Sequence, residues 1–141
     1  MKLAMLTSSD LDNDPRLQKE ALAAARAGHD VEVFCRVSPL SVARQTWKPL
    51  KYVERLRFNA ALARAVIRAQ PDVIHTANVD TLVAACTAAR VTHAKLVYDA
   101  YELWSGYSSE PTSVHARLMK LIESVGARRA DCVVTVNDKL G

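Results

Sequence analysis

Short apolar runs alternate with longer amphipathic stretches along this chain. Lys2–Leu6, Val31–Phe34, Val73–His75, Leu96–Tyr98 and Cys132–Val136 each read as a brief strand without polar alternation. Strands of that kind are covered on both faces, as in a parallel sheet between helices. Between them the hydrophobic period becomes helical. Asp14-Pro15 is a helix start, with the carboxylate as N-cap and proline at the first helical position. That helix runs to Ala27 with Leu17, Ala21, Ala24 and Ala25 on one face, and Gly28 ends it. Pro39–Leu50 reads as irregular, punctuated by Pro39 and Pro49. A second helix covers Tyr52–Ala69 and Pro71 breaks it, while Asp80 caps a third that runs to about Arg90. Val114, Leu118, Leu121, Ile122 and Val125 recur at helical spacing, which predicts a fourth over Thr112–Arg129. Ser8–Asp14 and Gly106–Pro111 are loops, and Asn137–Gly141 begins another helical turn.

This alternation predicts an α/β domain: a doubly wound, Rossmann-like parallel sheet, with no internal repeat. The length of 141 residues suits one domain with its own core. With 50% hydrophobic and 24% charged residues the composition is that of an ordinary soluble globular chain, and glycine and proline are sparse, which argues against low-complexity disorder. A net charge of +4 allows an anionic partner without demanding one. Aromatics are not interleaved with the basic residues, so no nucleic-acid partner is expected. Cys35, Cys86 and Cys132 form no C-x-x-C pair and read as buried, reduced thiols, which points to a cytoplasmic protein. Leu3–Leu6 is too short for a signal peptide, and no apolar run reaches the roughly 20 residues of a membrane span.

Several chemistries fail on their motifs. The loop after the first strand has no glycine, so G-x-G-x-x-G is absent, and so is a G-K-[ST] phosphate loop. A receiver domain finds mimics of its acids in Asp10 and Asp12 and of its lysine in Lys139, but His75 stands where its aspartate should. No Ser-His-Asp triad or metal cluster can be read from spacing, so neither a metal ion nor a cofactor is expected.

In an open parallel sheet, ligands bind beyond the carboxyl ends of the strands. Ser8, Ser9 and Asp10, then His75, Thr76 and Asn78, then Asp99, Tyr101 and Glu102 fall on that edge. Lys95–Trp104 is the densest segment, since its apolar run passes straight into two carboxylates and two aromatics. Such a set suits a polyhydroxylated ligand. Carboxylates and amides pair with its hydroxyls, at roughly 1.5–3 kcal/mol for each bond to a charged group, and aromatics cover the ring faces. Arg16 sits in a first helical turn, where a cation opposes the helix dipole, so an ion-pairing or functional role is favoured. His29 reads as structural, His93 and His115 as surface residues, and Trp104 as core. Arg44, Lys48, Lys51, Arg55, Arg57, Arg64 and Arg68 make one basic stretch, and Arg117, Lys120, Arg128 and Arg129 another. These read as solvated faces or as contacts with an anionic bilayer, at about 1 kcal/mol per residue.

Four stretches in order resemble glycosyltransferase family 4. They are Asp14-Pro15-Arg16 with Lys19-Glu20-Ala21 and Ala27-Gly28-His29-Asp30-Val31; Pro71–His75 with Asn78–Leu82; Val97–Leu103; and Arg129-Ala130-Asp131 with Val134–Asn137. The resemblance implies the N-terminal half of a GT-B enzyme, in which two Rossmann-like domains face a cleft. Residues 1–141 would be the acceptor-side domain, stopping before the donor-binding domain. The nucleotide-sugar donor would be held by that other domain, with no donor-binding residue here, and transfer to a hydroxylated acceptor would need no metal. Asp14 and Arg16 would shape the first loop, His75 and Asn78 would meet acceptor hydroxyls, and Asp99, Tyr101 and Glu102 would form the cleft floor. Many members carry histidine where this chain has Tyr101. The family also allows peripheral contact at the inner membrane face. The alternative is a non-catalytic sugar- or partner-binding assembly module on the same fold, self-associating through an exposed sheet edge.

Overall fold

The structure is a computed structural model that describes residues 1–35, 48–100 and 114–135, with only the backbone of residues 48–52. Its elements run β1 (Lys2–Leu6), a 3-10 turn (Leu11–Asn13), α1 (Pro15–Arg26), β2 (Asp30–Phe34), α2 (Lys48–Ala69), β3 (Val73–Thr76), α3 (Val79–Thr92), β4 (Lys95–Ala100), α4 (Val114–Ala127) and β5 (Cys132–Thr135). The five strands are all parallel, in the order β2-β1-β3-β4-β5. The expected Rossmann-like α/β sheet is therefore present.

The register divides the sheet into two faces. Ala4, Leu6, Ile74 and Leu96 pack under Leu62 and Val66 of α2 and Ala84 and Ala88 of α3. Tyr98 and Ala100 continue that face under Leu82 of α3 and Met119 of α4. The opposite face carries Leu3, Met5, Val73, His75, Val97, Asp99 and Val134, beside Arg16, Glu20 and Ala24 of α1. Among the described residues, α1 is the only helix on that side.

Local chemistry explains where α1 begins and ends. Asp14 Oδ1 accepts the Leu17 N–H at 3.1 Å, which caps the helix, and Pro15 follows at the first position. At the other end Gly28 takes φ +86°. Its N–H reaches Ala25 O and the His29 N–H reaches Ala24 O, which makes a Schellman turn.

Several expectations need correction. The irregular segment ends sooner, because α2 starts at Lys48 and Pro49 lies in its first turn, where the missing N–H is not needed. The N-cap of α3 is Asn78. Asp80 stands inside the first turn and pairs with Arg55 at 3.4 Å. β4 continues to Ala100, so Asp99 is a strand residue, 2% exposed. Ala25 is exposed, since it falls too far round α1 from Leu17 to reach the sheet. All three cysteines are free, but Cys132 is exposed because it lies on the edge strand β5, while Cys35 and Cys86 are partly buried.

The sharpest difference is α4. Its aliphatic stripe of Val114, Leu118, Leu121 and Val125 faces solvent, and Met119, Glu123 and Gly126 are buried instead. Two contacts set this rotation. The Tyr98 hydroxyl donates to Glu123 Oε1 at 2.9 Å in the interior. Gly126 lies against Leu82 so closely that a Cβ there would overlap the leucine side chain. Tyr101, Glu102, Trp104, Arg44, the Gly106–Pro111 loop and Asn137–Gly141 lie outside the described residues.

Candidate functional site

Two polar clusters gather at the carboxyl end of the sheet. The first centres on Thr7, which follows β1 and is fully buried. Its Oγ1 lies 2.9 Å from Asn78 Oδ1 and 3.2 Å from Asp14 Oδ2, and it accepts the Ser9 N–H at 3.1 Å. One hydroxyl proton is shared between two acceptors. Asn78 Oδ1 also accepts the Ser8 N–H at 3.1 Å. Asn78 thus turns its oxygen toward the first loop, and it makes no side-chain cap for α3. Asp14 does both jobs, one oxygen capping α1 and the other facing Thr7. The loop after β1 is therefore tied to the turn after β3.

The second cluster lies between α1 and the open sheet face. Arg16 Nη2 donates to Asp99 Oδ2 at 2.6 Å, and Arg16 Nε donates to Glu20 Oε1 at 2.9 Å. Glu20 Oε2 is 3.8 Å from His75 Nε2. Asp99 Oδ1 and His75 Nδ1 are buried with no hydrogen-bond partner among the described residues. Burial pushes the Asp99 carboxyl above its ordinary range, against the pull of Arg16. Burial pushes the His75 imidazole down, against Glu20 and Asp99. His75 is thereby favoured as a neutral imidazole, with one nitrogen able to accept and one to donate. A pocket of about 330 Å³ includes these four residues in its wall, together with aliphatic side chains of β1, β3, β4 and β5.

The sequence model for glycosyltransferase family 4 matches residues 17–140. The chain belongs to glycosyltransferase family 4. No curated protein matches it. The matched span of this family 4 domain contains Glu20, His75, Asn78 and Asp99, while Asp14 and Arg16 fall just before it.

Among the site residues expected from the sequence, Arg16, His75 and Asp99 come together in one cluster. Asp14 and Asn78 join through Thr7 in the other. Tyr101 and Glu102 lie outside the described residues. No metal cluster was legible in the spacing, yet Glu20, His75 and Asp99 each offer a donor atom within 4.8 Å of the others. Carboxylate and imidazole donors suit a divalent ion in type. The guanidinium of Arg16 already holds one oxygen of each carboxylate, so a metal ion here would share both carboxylates with that cation.

Sequence reasoning missed Glu20 and Thr7 as members of the site. Glu20 had a signal, since Arg16 and Glu20 are four apart on one helix face. Thr7 had none, because its partner Asn78 is 71 residues away.

Proposed function

We propose that this family 4 domain is the acceptor-binding half of a two-domain GT-B enzyme. The complete protein then transfers a sugar from a nucleotide-sugar to a hydroxyl acceptor. The observation that carries the reading is the tied rim at the carboxyl edge. Ser8 and Ser9 are held by their backbone N–H groups on Asn78 and Thr7. A loop fixed in that way presents its groups to a ligand without first being ordered, which lowers the cost of binding. Behind the rim, Asp99 and His75 retain hydrogen-bonding capacity that no described residue uses. Hydroxyls of an acceptor pair with such groups, and Tyr101 and Glu102 extend the floor in this reading. A nucleotide-sugar is left to the partner domain, in keeping with a first loop that has no glycine to cradle phosphates.

The test is sugar transfer by the complete protein, followed as release of UDP or GDP from a panel of nucleotide-sugars. His75→Ala and Glu102→Ala each lower kcat/KM if the site is correctly placed. Unchanged kinetics in both variants overturns the site. A protein that binds a sugar but releases no nucleotide from any donor favours the non-catalytic assembly module.

A further inference from the structure

α4 is amphipathic twice over. Met119, Glu123 and Gly126 turn inward. Val114, Leu118, Leu121 and Val125 form a second apolar line on the outside, 82% exposed at Val114 and 61% at Leu121. Singly exposed aliphatics need no explanation, but a contiguous line of them marks an interaction surface. The steps along this line are four, three and four residues. That is the heptad spacing by which one helix seats against another, the knobs of each filling holes in its neighbour.

The line borders a groove of matching shape. Between α3 and α4 runs a cleft of about 230 Å³, walled by Val83, Cys86 and Thr87 on one side and by Leu121, Ile122 and Val125 on the other. The two walls are helices packed against each other, and Val83 on the α3 side is exposed as well. A third helix laid along the cleft would set its own apolar side chains, three or four residues apart, between those walls.

The flanking charges select the kind of helix. In the register of the apolar line, Arg117 and Arg129 fall at the two flanking positions, one on each side. Both are exposed, as are Arg90 on α3 and Arg128 just past α4. No aspartate or glutamate is exposed among the described residues of α3 and α4. Charges at such flanking positions set partner choice between packed helices. A second copy of this face would bring arginine against arginine. A duplex of nucleic acid would answer the arginines but not the aliphatics. A fluid lipid surface asks for neither the spacing nor the groove.

We propose that the α3–α4 face docks an amphipathic helix of a partner protein, apolar along one stripe and acidic on both flanks of it. The apolar line is short, which suits a reversible contact more than a permanent one. This inference does not depend on the acceptor reading.

A labelled synthetic helix of about three heptads, with leucine at a and d and glutamate at e and g, is the probe. Fluorescence anisotropy with the full chain shows saturable binding of this peptide, and a counterpart with lysine at e and g does not bind. Leu121→Ser with Val125→Ser weakens binding at least about ten-fold, because two apolar anchors are lost. Arg117→Glu with Arg129→Glu abolishes binding of the acidic peptide and admits the lysine peptide, since the flanking charges then suit the other partner. Lys19→Glu, a charge reversal on exposed α1, leaves binding intact. All the substituted positions are exposed, and circular dichroism checks that each variant is folded. Failure of the acidic peptide to bind overturns the proposal, and so does equal binding of both peptides. Equal loss in Lys19→Glu overturns it too, since net charge and not this face would then be acting. A chain that binds neither peptide but sediments as a dimer, lost in Leu121→Ser with Val125→Ser, gives the face to a second copy. Flotation with phosphatidylglycerol vesicles in the absence of peptide binding gives it to a bilayer.

Discussion

Arg16 on α1 and Asp99 on β4 meet at 2.6 Å across 83 residues of sequence, with the carboxylate buried and the guanidinium partly open to solvent. Removing the cation leaves a buried carboxylate with one of its oxygens newly unpaired. Arg16→Met is expected to lower stability by roughly 1–3 kcal/mol, toward the low end because arginine is partly exposed. Asp99→Asn in the same chain recovers part of that loss, because the lone buried charge is gone. Urea denaturation of the two single variants and the double variant gives the coupling directly.

The same cluster shapes the dependence of stability on pH. His75 has a folded-state pKa below its ordinary 6.5, chiefly because it is buried. Between that lowered value and 6.5 the unfolded chain binds more protons, so stability rises with pH there and is lost as pH falls. Asp99 acts in the opposite direction. Its pKa is raised above 3.8, the folded chain binds more protons in that window, and stability rises as pH falls through it. His75→Gln removes the first effect. The stability difference between the unaltered chain and His75→Gln therefore shrinks as pH drops below 6.5. A difference that stays flat from neutral pH down through that window counts against a buried, proton-poor His75.

Asn78 serves the loop after β1 more than its own helix. Asn78→Ala leaves the buried Thr7 hydroxyl with one acceptor fewer and the Ser8 N–H with none from this side chain. A loss of roughly 1–3 kcal/mol is expected. Amide exchange at Ser8 and Ser9 should quicken more than exchange in β4. Unchanged exchange at Ser8 would show that the loop is held by other means.

Gly126 is expected to tolerate no larger residue. Gly126→Ala drives a methyl into the fully buried Leu82 and should cost roughly 1–3 kcal/mol. Leu82→Ala in the same chain opens space for that methyl, so the double variant loses less than the sum of the two changes. Additive losses would mean that the two helices separate rather than collide.

Much of the architecture was legible because its signals are local. Asp14-Pro15 and Gly28 mark the ends of α1, and uninterrupted apolar runs mark the strands. The side of α4 that faces the sheet was not legible. Periodicity reports that an apolar stripe exists but not that Glu123 and Gly126 will displace it from the interior, and that choice depends on Tyr98 and Leu82 from other elements. The polar cluster divides in the same way. Arg16 announced itself by standing at the wrong end of a dipole, whereas its meeting with Asp99 depends on how α1 lies over β4. Thr7 gave no sign at all, since a threonine after a strand looks like any other.

The Thr7–Asn78 bond has a consequence for where anything can bind. With strand order β2-β1-β3-β4-β5, the connections after β1 and β3 leave toward opposite faces, which makes the gap between those two strands the topological switch point of the sheet. Folds of this kind ordinarily open a crevice there. In this chain the crevice is laced shut by Thr7, Asn78 and the Ser8 amide, so a ligand approaching that gap would meet a closed floor and be confined to the rim above it.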